Sequence, residues 1–148
     1  MRIGEALALH RSDVDFEKRT VSITKNVVQV DGRRIEQDTP KSEAGNRVLP
    51  LPENLCRHLL DTSDDLLFPY SYNSVRLATE RIAKSLRIEV TLHILRHTYA
   101  TRLEEAGIPP KVKQYLLGHA SLEMTQNVYT DTQMHYVEKL SDQVRALF

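Results

Sequence analysis

Within Leu92-His93-Ile94-Leu95-Arg96-His97-Thr98, a histidine and an arginine stand three positions apart, which puts both on one face if the segment is helical. Arginine suits phosphate because its planar fork meets two oxygens at once and keeps its charge at any physiological pH. Cutting a phosphodiester without a metal requires a nucleophile, cations on the non-bridging oxygens, a proton donor for the leaving oxygen and a group to take the nucleophile's proton. His93 and Arg96 hold a base and an anion clamp on one rigid element. Leu117-Gly118-His119 follows His97 by twenty-two residues, and Tyr129, in Asn127-Val128-Tyr129-Thr130, follows His119 by ten.

The run His93-x-x-Arg96-His97-Thr98-x-Ala100-Thr101, then Leu117-Gly118-His119, then Tyr129-Thr130 resembles the signature of the tyrosine recombinases, the phage-integrase family. Met1 to Leu9 resembles the segment that bears the family's first arginine, and Thr39-Pro40-Lys41-Ser42 ahead of Arg47 to Leu51 resembles the loop that bears its lysine. The resemblance implies that Tyr129 attacks phosphorus and becomes joined to the 3′ phosphate, releasing a 5′ hydroxyl. It implies that Arg2 and Arg96 grip the non-bridging oxygens and that Lys41 protonates the leaving oxygen. His93 would assist proton transfer at Tyr129, and His119 would hydrogen-bond the phosphate as charge develops. It implies no cofactor and no metal. The partner implied is a double-stranded DNA attachment site, bound in the full-length protein as a homotetramer. The activity implied is site-specific recombination, as in integration and excision of a phage or mobile element. A second reading stays open, in which the chain is a recombinase-like module that binds DNA or a partner protein without cutting.

His93, His97 and His119 could also be read as a zinc set. The His-Glu-x-x-His pattern of metallohydrolases, however, needs a glutamate where Ile94 stands. His97 is then expected to be structural. Tyr129 taken alone would be a packed aromatic, since that is how most tyrosines are used.

Other segments must position these groups. Gly4 to Leu9 reads as a short helix with Ala6, Leu7 and Leu9 inward. Thr20 to Thr24 and Val27 to Val30 are β-branched and alternate, as in a half-buried strand. Asp31-Gly32 signals a tight turn. Arg33 to Thr39 should return as a second strand and Arg47 to Leu51 as a third, giving a three-stranded antiparallel meander with Lys41 in its second connection. Beyond Pro52 the period becomes helical. Helices are expected over Glu53 to Leu60, Asn73 to Leu86 (apolar stripe Val75, Ala78, Ile82, Leu86) and Leu92 to Ala106, the last capped by Thr91 and ended by Gly107. Another should start at Pro109 or Pro110 and stop at Gly118, and a short one should begin after Ser121. The last helix, 132–147, carries Met134, Val137, Leu140, Val144 and Leu147 on one face. That face either packs on its own domain or docks on a neighbouring protomer. The fold class expected is α+β, mainly helical with a small three-stranded antiparallel sheet, like a tyrosine-recombinase catalytic domain.

At 148 residues the chain is the size of one domain, with 41% apolar and 27% charged residues, as in ordinary globular proteins. Residues 1–148 are expected to form a single, partial catalytic domain without the core-binding domain of full-length family members. Twenty basic and twenty acidic residues give a net charge of +0, unusual for a DNA-binding domain. From Arg76 to Lys113, however, eight basic residues meet four acidic ones, so a local basic face can form. Cys56, the sole cysteine, is expected to be a small buried hydrophobe. No apolar run approaches membrane-spanning length and the first residues lack a signal-peptide layout, so a cytoplasmic, prokaryotic, nucleoid-acting protein is expected.

Overall fold

A computed structural model of the chain describes residues 1–31, 33–37, 46–62, 64–118 and 139–147. The chain begins with a one-and-a-half-turn helix, α1 (Ile3–Leu7). Its start is closed by Glu5, whose carboxylate accepts the backbone N–H of Arg2 at 2.6 Å. A 3₁₀ turn (Arg11–Asp13) leads into strands β1 (Val14–Asp15) and β2 (Thr20–Ile23). Then come β3 (Asn26–Val30), β4 (Arg33–Gln37) and β5 (Arg47–Pro50). The described helices that follow are α2 (Glu53–Leu60), α3 (Tyr72–Leu86), α4 (Leu92–Glu105), α5 (Pro110–Leu117) and α6, residues 139–145.

The expected meander is corrected. Among the described residues, five strands form two sheets: a three-stranded antiparallel sheet in the order β1-β2-β5, and a separate hairpin of β3 and β4. The segment expected as one strand is broken at Thr24-Lys25, because its two halves bury different faces. Val21 and Ile23 of β2 are 1% exposed in the main core, whereas Val27 of β3 packs with Leu7 and Ala8 in a second, smaller cluster. The strand Arg47–Pro50 therefore pairs with β2, Val21 opposite Leu49 and Ile23 opposite Arg47, not with β4. Val14 stands opposite Val21, so three apolar side chains align across the sheet. The tight turn at Asp31 is where expected, with Asp31 at φ +50° and Val30 paired to Arg33.

Gly4 allows α1 to lie directly on β3. A Cβ there would meet Asn26 Oδ1 at 2.3 Å and the Val27 carbonyl oxygen at 2.6 Å.

Over residues 53–118 the helical boundaries hold closely, and the short helix expected after Ser121 lies outside the described residues. Thr91 caps α4 by accepting the Ile94 N–H at 3.2 Å, Gly107 follows the helix at φ +70°, and Pro110 begins α5. Cys56 is buried, and burial pushes its thiol pKa up. The apolar stripe of α3 is a correction. Its inward face is Val75, Thr79 and Ala83, while Ile82 and Leu86 are 60% and 61% exposed. Because 75, 79 and 83 repeat by fours, the contact drifts off the stripe read from hydrophobicity alone.

Val144 of α6 is buried in the main core and Leu140 and Leu147 pack against it, so the described end of the last helix rests on its own domain. Arg145 secures it by donating to the Lys18 carbonyl at 2.8 Å. Met134 and Val137 lie outside the described residues. Among the described residues, no helix is long and apolar enough to cross a membrane.

Candidate active site

Three guanidinium groups converge on the C-terminal end of α5. Arg47 Nε donates to the Leu116 carbonyl at 3.2 Å, Arg96 Nη2 donates to that of Leu117, and Arg2 Nη2 donates to that of Gly118 at 2.9 Å. The last carbonyls of a helix have no partner within it and carry the negative end of its dipole, so they draw cations. The three arginines come from β5, α4 and the residue preceding α1, three segments far apart in sequence. Their common target is what brings them together.

Glu5 stands at the centre. Its carboxylate accepts Arg47 Nη2 at 2.7 Å, Arg47 Nη1 at 3.2 Å and Arg2 Nη1 at 3.0 Å. The Arg47 and Glu5 side chains are 0% and 2% exposed. Burial alone would raise the Glu5 pKa, but the hydrogen bonds from Arg47 and Arg2 outweigh it and hold the carboxyl below its ordinary value. Among the described residues, three cations against one carboxylate leave an excess positive charge. Arg96 Nη1 is buried and has no hydrogen-bond partner among the described residues. Burial, and next the Arg2 charge, lower the Arg96 pKa. An anion would relieve both the orphaned N–H and the repulsion.

Gly118 closes α5 in the left-handed conformation, φ +62° and ψ +47°, immediately before His119. A Cβ there would lie 2.6 Å from Arg47 Nη1 and 2.8 Å from Arg47 Cζ. Gly118→Ala should therefore lose about 2 kcal/mol or more, combining left-handed strain with displacement of a buried ion pair. Urea unfolding would measure it. The side-chain hydroxyl of Tyr115, one turn earlier, accepts the Val48 N–H at 2.9 Å and joins α5 to β5.

His93 lies one turn before Arg96 on α4, with its ring exposed. Its Nε2 is 2.9 Å from Nε2 of His97, the rings meeting edge to face. His97, expected to be structural, is thus a direct neighbour of His93. Among the described residues there is no cluster of three or more metal-ligating side chains.

Of the six predicted site residues, Arg2 and Arg96 meet at adjacent carbonyls, and His93 shares the α4 helix with Arg96. Lys41, His119 and Tyr129 lie outside the described residues. Two residues at the centre, Glu5 and Arg47, escaped the sequence reading. The only signal for Glu5 was its spacing three after Arg2 on a helix. Arg47 read as an ordinary strand residue and carried no signal of its own.

The phage integrase family matches residues 1–135. The chain belongs to the phage integrase family. Among curated relatives, this integrase-family chain is 30% identical to a transposase from transposon Tn916 of Enterococcus faecalis, over 87% of the chain and 38% of that protein. It is 29% identical to the tyrosine recombinase XerA of Thermococcus onnurineus, over 99% of the chain and 52% of that protein. The chain thus spans about half or less of the length of these relatives. Its fold is that of tyrosine-recombinase catalytic domains. The Tn1549 transposon integrase, solved with circular intermediate DNA, superposes with a TM-score of 0.71 at 24% identity, covering 97% of this chain and 56% of that one. A XerA recombinase crystal structure gives 0.62 at 24% identity, covering 97% and 53%.

Proposed function

We propose that this domain cleaves and rejoins DNA through a 3′-phosphotyrosyl intermediate on Tyr129, as the catalytic unit of a site-specific recombinase of a phage or other mobile element. The observation that carries the reading is the arginine cluster on α5. Arg2 and Arg96 present N–H groups from a site that, among the described residues, has excess positive charge and leaves one buried N–H of Arg96 without a partner. A bridging phosphodiester, with two non-bridging oxygens and one negative charge, complements it. Its role in cleavage is to neutralise the charge that builds on those oxygens as the phosphorus becomes five-coordinate.

Tyr129 supplies the nucleophilic oxygen, and its proton passes with help from His93. Lys41 donates a proton to the leaving 5′ oxygen. His119, the residue after Gly118, hydrogen-bonds the phosphate. The phosphotyrosyl bond conserves the energy of the bond broken, so the 5′ hydroxyl of another strand can reverse the attack. Neither a metal nor a cofactor is required. Other tyrosines suit the nucleophile's role less well. Tyr99 is half-buried and its pKa is pushed up to about 12 by desolvation, and the Tyr115 hydroxyl is engaged with Val48.

A nicked suicide substrate tests the reading: cleavage should trap the protein covalently on DNA. DNA binding without any adduct in the intact protein would leave a binding module instead. Full-length assembly as a homotetramer on an attachment site belongs to the same proposal.

Arg81 and Lys84 on α3, and Arg87 just after it, are exposed. If they and the two clamp arginines each neutralise one phosphate, the affinity should fall with a log–log salt slope of about −4 to −5. Titrations across a salt series would read it. A slope near zero would remove these cations from the DNA interface.

A further inference from the structure

His93 and His97 stand one turn apart on α4, and both rings are exposed. Their Nε2 atoms are 2.9 Å apart, with the ring planes at 80°. Two nitrogens bound side by side to one metal ion at about 2.0–2.1 Å lie about 2.9 Å apart at a right angle and about 3.4 Å apart at the tetrahedral angle. The separation in this domain is that of a chelate. The helix fixes it: histidines four positions apart share one face, and the start of α4 is held by the Thr91 hydroxyl, which accepts the Ile94 N–H at 3.2 Å. Among the described residues, neither ring makes another hydrogen bond.

Without a metal, the contact is a hydrogen bond. A neutral imidazole carries one N–H and one lone pair, so one ring donates its Nε2 proton to the other. Moving that proton to Nδ1 of the donor ring, with none released, gives both Nε2 atoms a lone pair. Imidazole nitrogen suits Zn²⁺, Ni²⁺ and Cu²⁺, and a near-right angle favours the tetragonal geometries of Ni²⁺ and Cu²⁺. Charge works against any dication, because the positive end of the α4 dipole and the guanidinium of Arg96, three residues after His93, both repel it. Attraction must come from the nitrogen–metal bonds. Hard, oxygen-seeking Mg²⁺ and Ca²⁺ therefore gain nothing here.

We propose that His93 and His97 form a chelating site for a divalent transition metal of the Ni²⁺, Cu²⁺ and Zn²⁺ class, and that its occupation stops strand cleavage. The second half rests on the assignment of His93 as the group that helps Tyr129 lose its proton. An imidazole with a metal on Nε2 and a proton on Nδ1 has no lone pair left to accept another proton. The metal is an inhibitor, held by the residue that cleavage needs and by its neighbour.

Calorimetric titration of the intact, tag-free protein with Ni²⁺ tests the site. His93→Ala and His97→Ala should each weaken one Ni²⁺ site about tenfold or more, since even groups that only orient a metal ligand are worth about 10–100-fold in affinity. Excess Mg²⁺ should not displace the Ni²⁺. Binding unchanged in either variant, or displaced by Mg²⁺, would overturn the site. A nicked suicide substrate tests the consequence. Saturating Ni²⁺ should slow wild-type cleavage about tenfold or more, as loss of a general base does, and a chelator should restore it. His97→Ala should cleave within about twofold of wild type without metal, because an exposed side chain outside the reaction contributes little, and should keep that rate at the same Ni²⁺ concentration. Equal inhibition of wild type and His97→Ala would place the inhibiting metal elsewhere and overturn the inhibition. His93→Ala without metal tests the underlying assignment. If it cleaves like wild type, His93 is not the proton acceptor and the inhibition falls with that reading, while the titration still decides the site. If it is slow but Ni²⁺-loaded wild type cleaves at full rate, the inhibition alone falls.

Discussion

Tyr129→Phe is expected to abolish the covalent protein–DNA adduct while leaving DNA affinity within about twofold, since the substitution removes one oxygen and no positive charge. The proposed reaction begins with that oxygen. Removing the nucleophile of a preorganised site commonly costs on the order of 10⁴-fold or more in rate, what remains coming from the electrostatic cluster acting on water. A gel assay with a nicked suicide substrate, run beside a binding titration of the same preparation, reads both quantities. An adduct of undiminished yield would mean that another side chain attacks, and would remove the assignment of Tyr129.

What could be read in the sequence, and what could not, follows from the range of the forces involved. The helix with His93 and Arg96 was legible because Thr91 and Gly107 are local punctuation, decided within a few residues of backbone. Gly118 was legible as a stop for the same reason. The division of the strands was not. Whether Arg47 to Pro50 pairs with β2 or β4 depends on which core Val21, Ile23 and Val27 enter, and alternation by itself says only that one face is apolar. The exposed positions Ile82 and Leu86 show the same gap on α3, where hydrophobic spacing suggests a face but tertiary contact selects a neighbouring one.

The candidate site shows this contrast within a few residues. Arg2 and Arg96 were found by resemblance to motifs, yet the carboxylate that holds Arg2 is Glu5, itself paired with Arg47 forty-two positions away. A buried carboxylate looks like any surface glutamate until its partners are known. Net charge misleads for the same reason: a total of +0 is compatible with three guanidiniums gathered at one helix end, because local placement, not the sum, fixes the field a phosphate meets.

The consequence is an expected result for a residue outside the proposed reaction. Arg47→Met should destabilise the domain by about 3 kcal/mol, towards the lower end of the roughly 3–5 kcal/mol found when one partner of a buried ion pair is removed, because Glu5 keeps its bonds to Arg2. The Leu116 carbonyl also loses its donor. The pH dependence has a definite sign. Glu5 is held below its ordinary value of 4.5, so its contribution is present above that value and is lost as pH falls through the folded one. The gap between wild type and Arg47→Met should therefore be wide near neutrality and narrow in acid, where a protonated Glu5 no longer needs a cation. Urea unfolding at several pH values measures the gap directly. Adding Glu5→Gln to Arg47→Met removes the stranded charge and should recover part of the loss at neutral pH; strict additivity of the two substitutions would show that the pair is not coupled. Cleavage should fall in Arg47→Met even at temperatures where it stays folded, since Arg47 fixes the end of α5 from which the chain passes to His119, and Glu5, freed from Arg47, would draw Arg2 away from the phosphate it is proposed to hold.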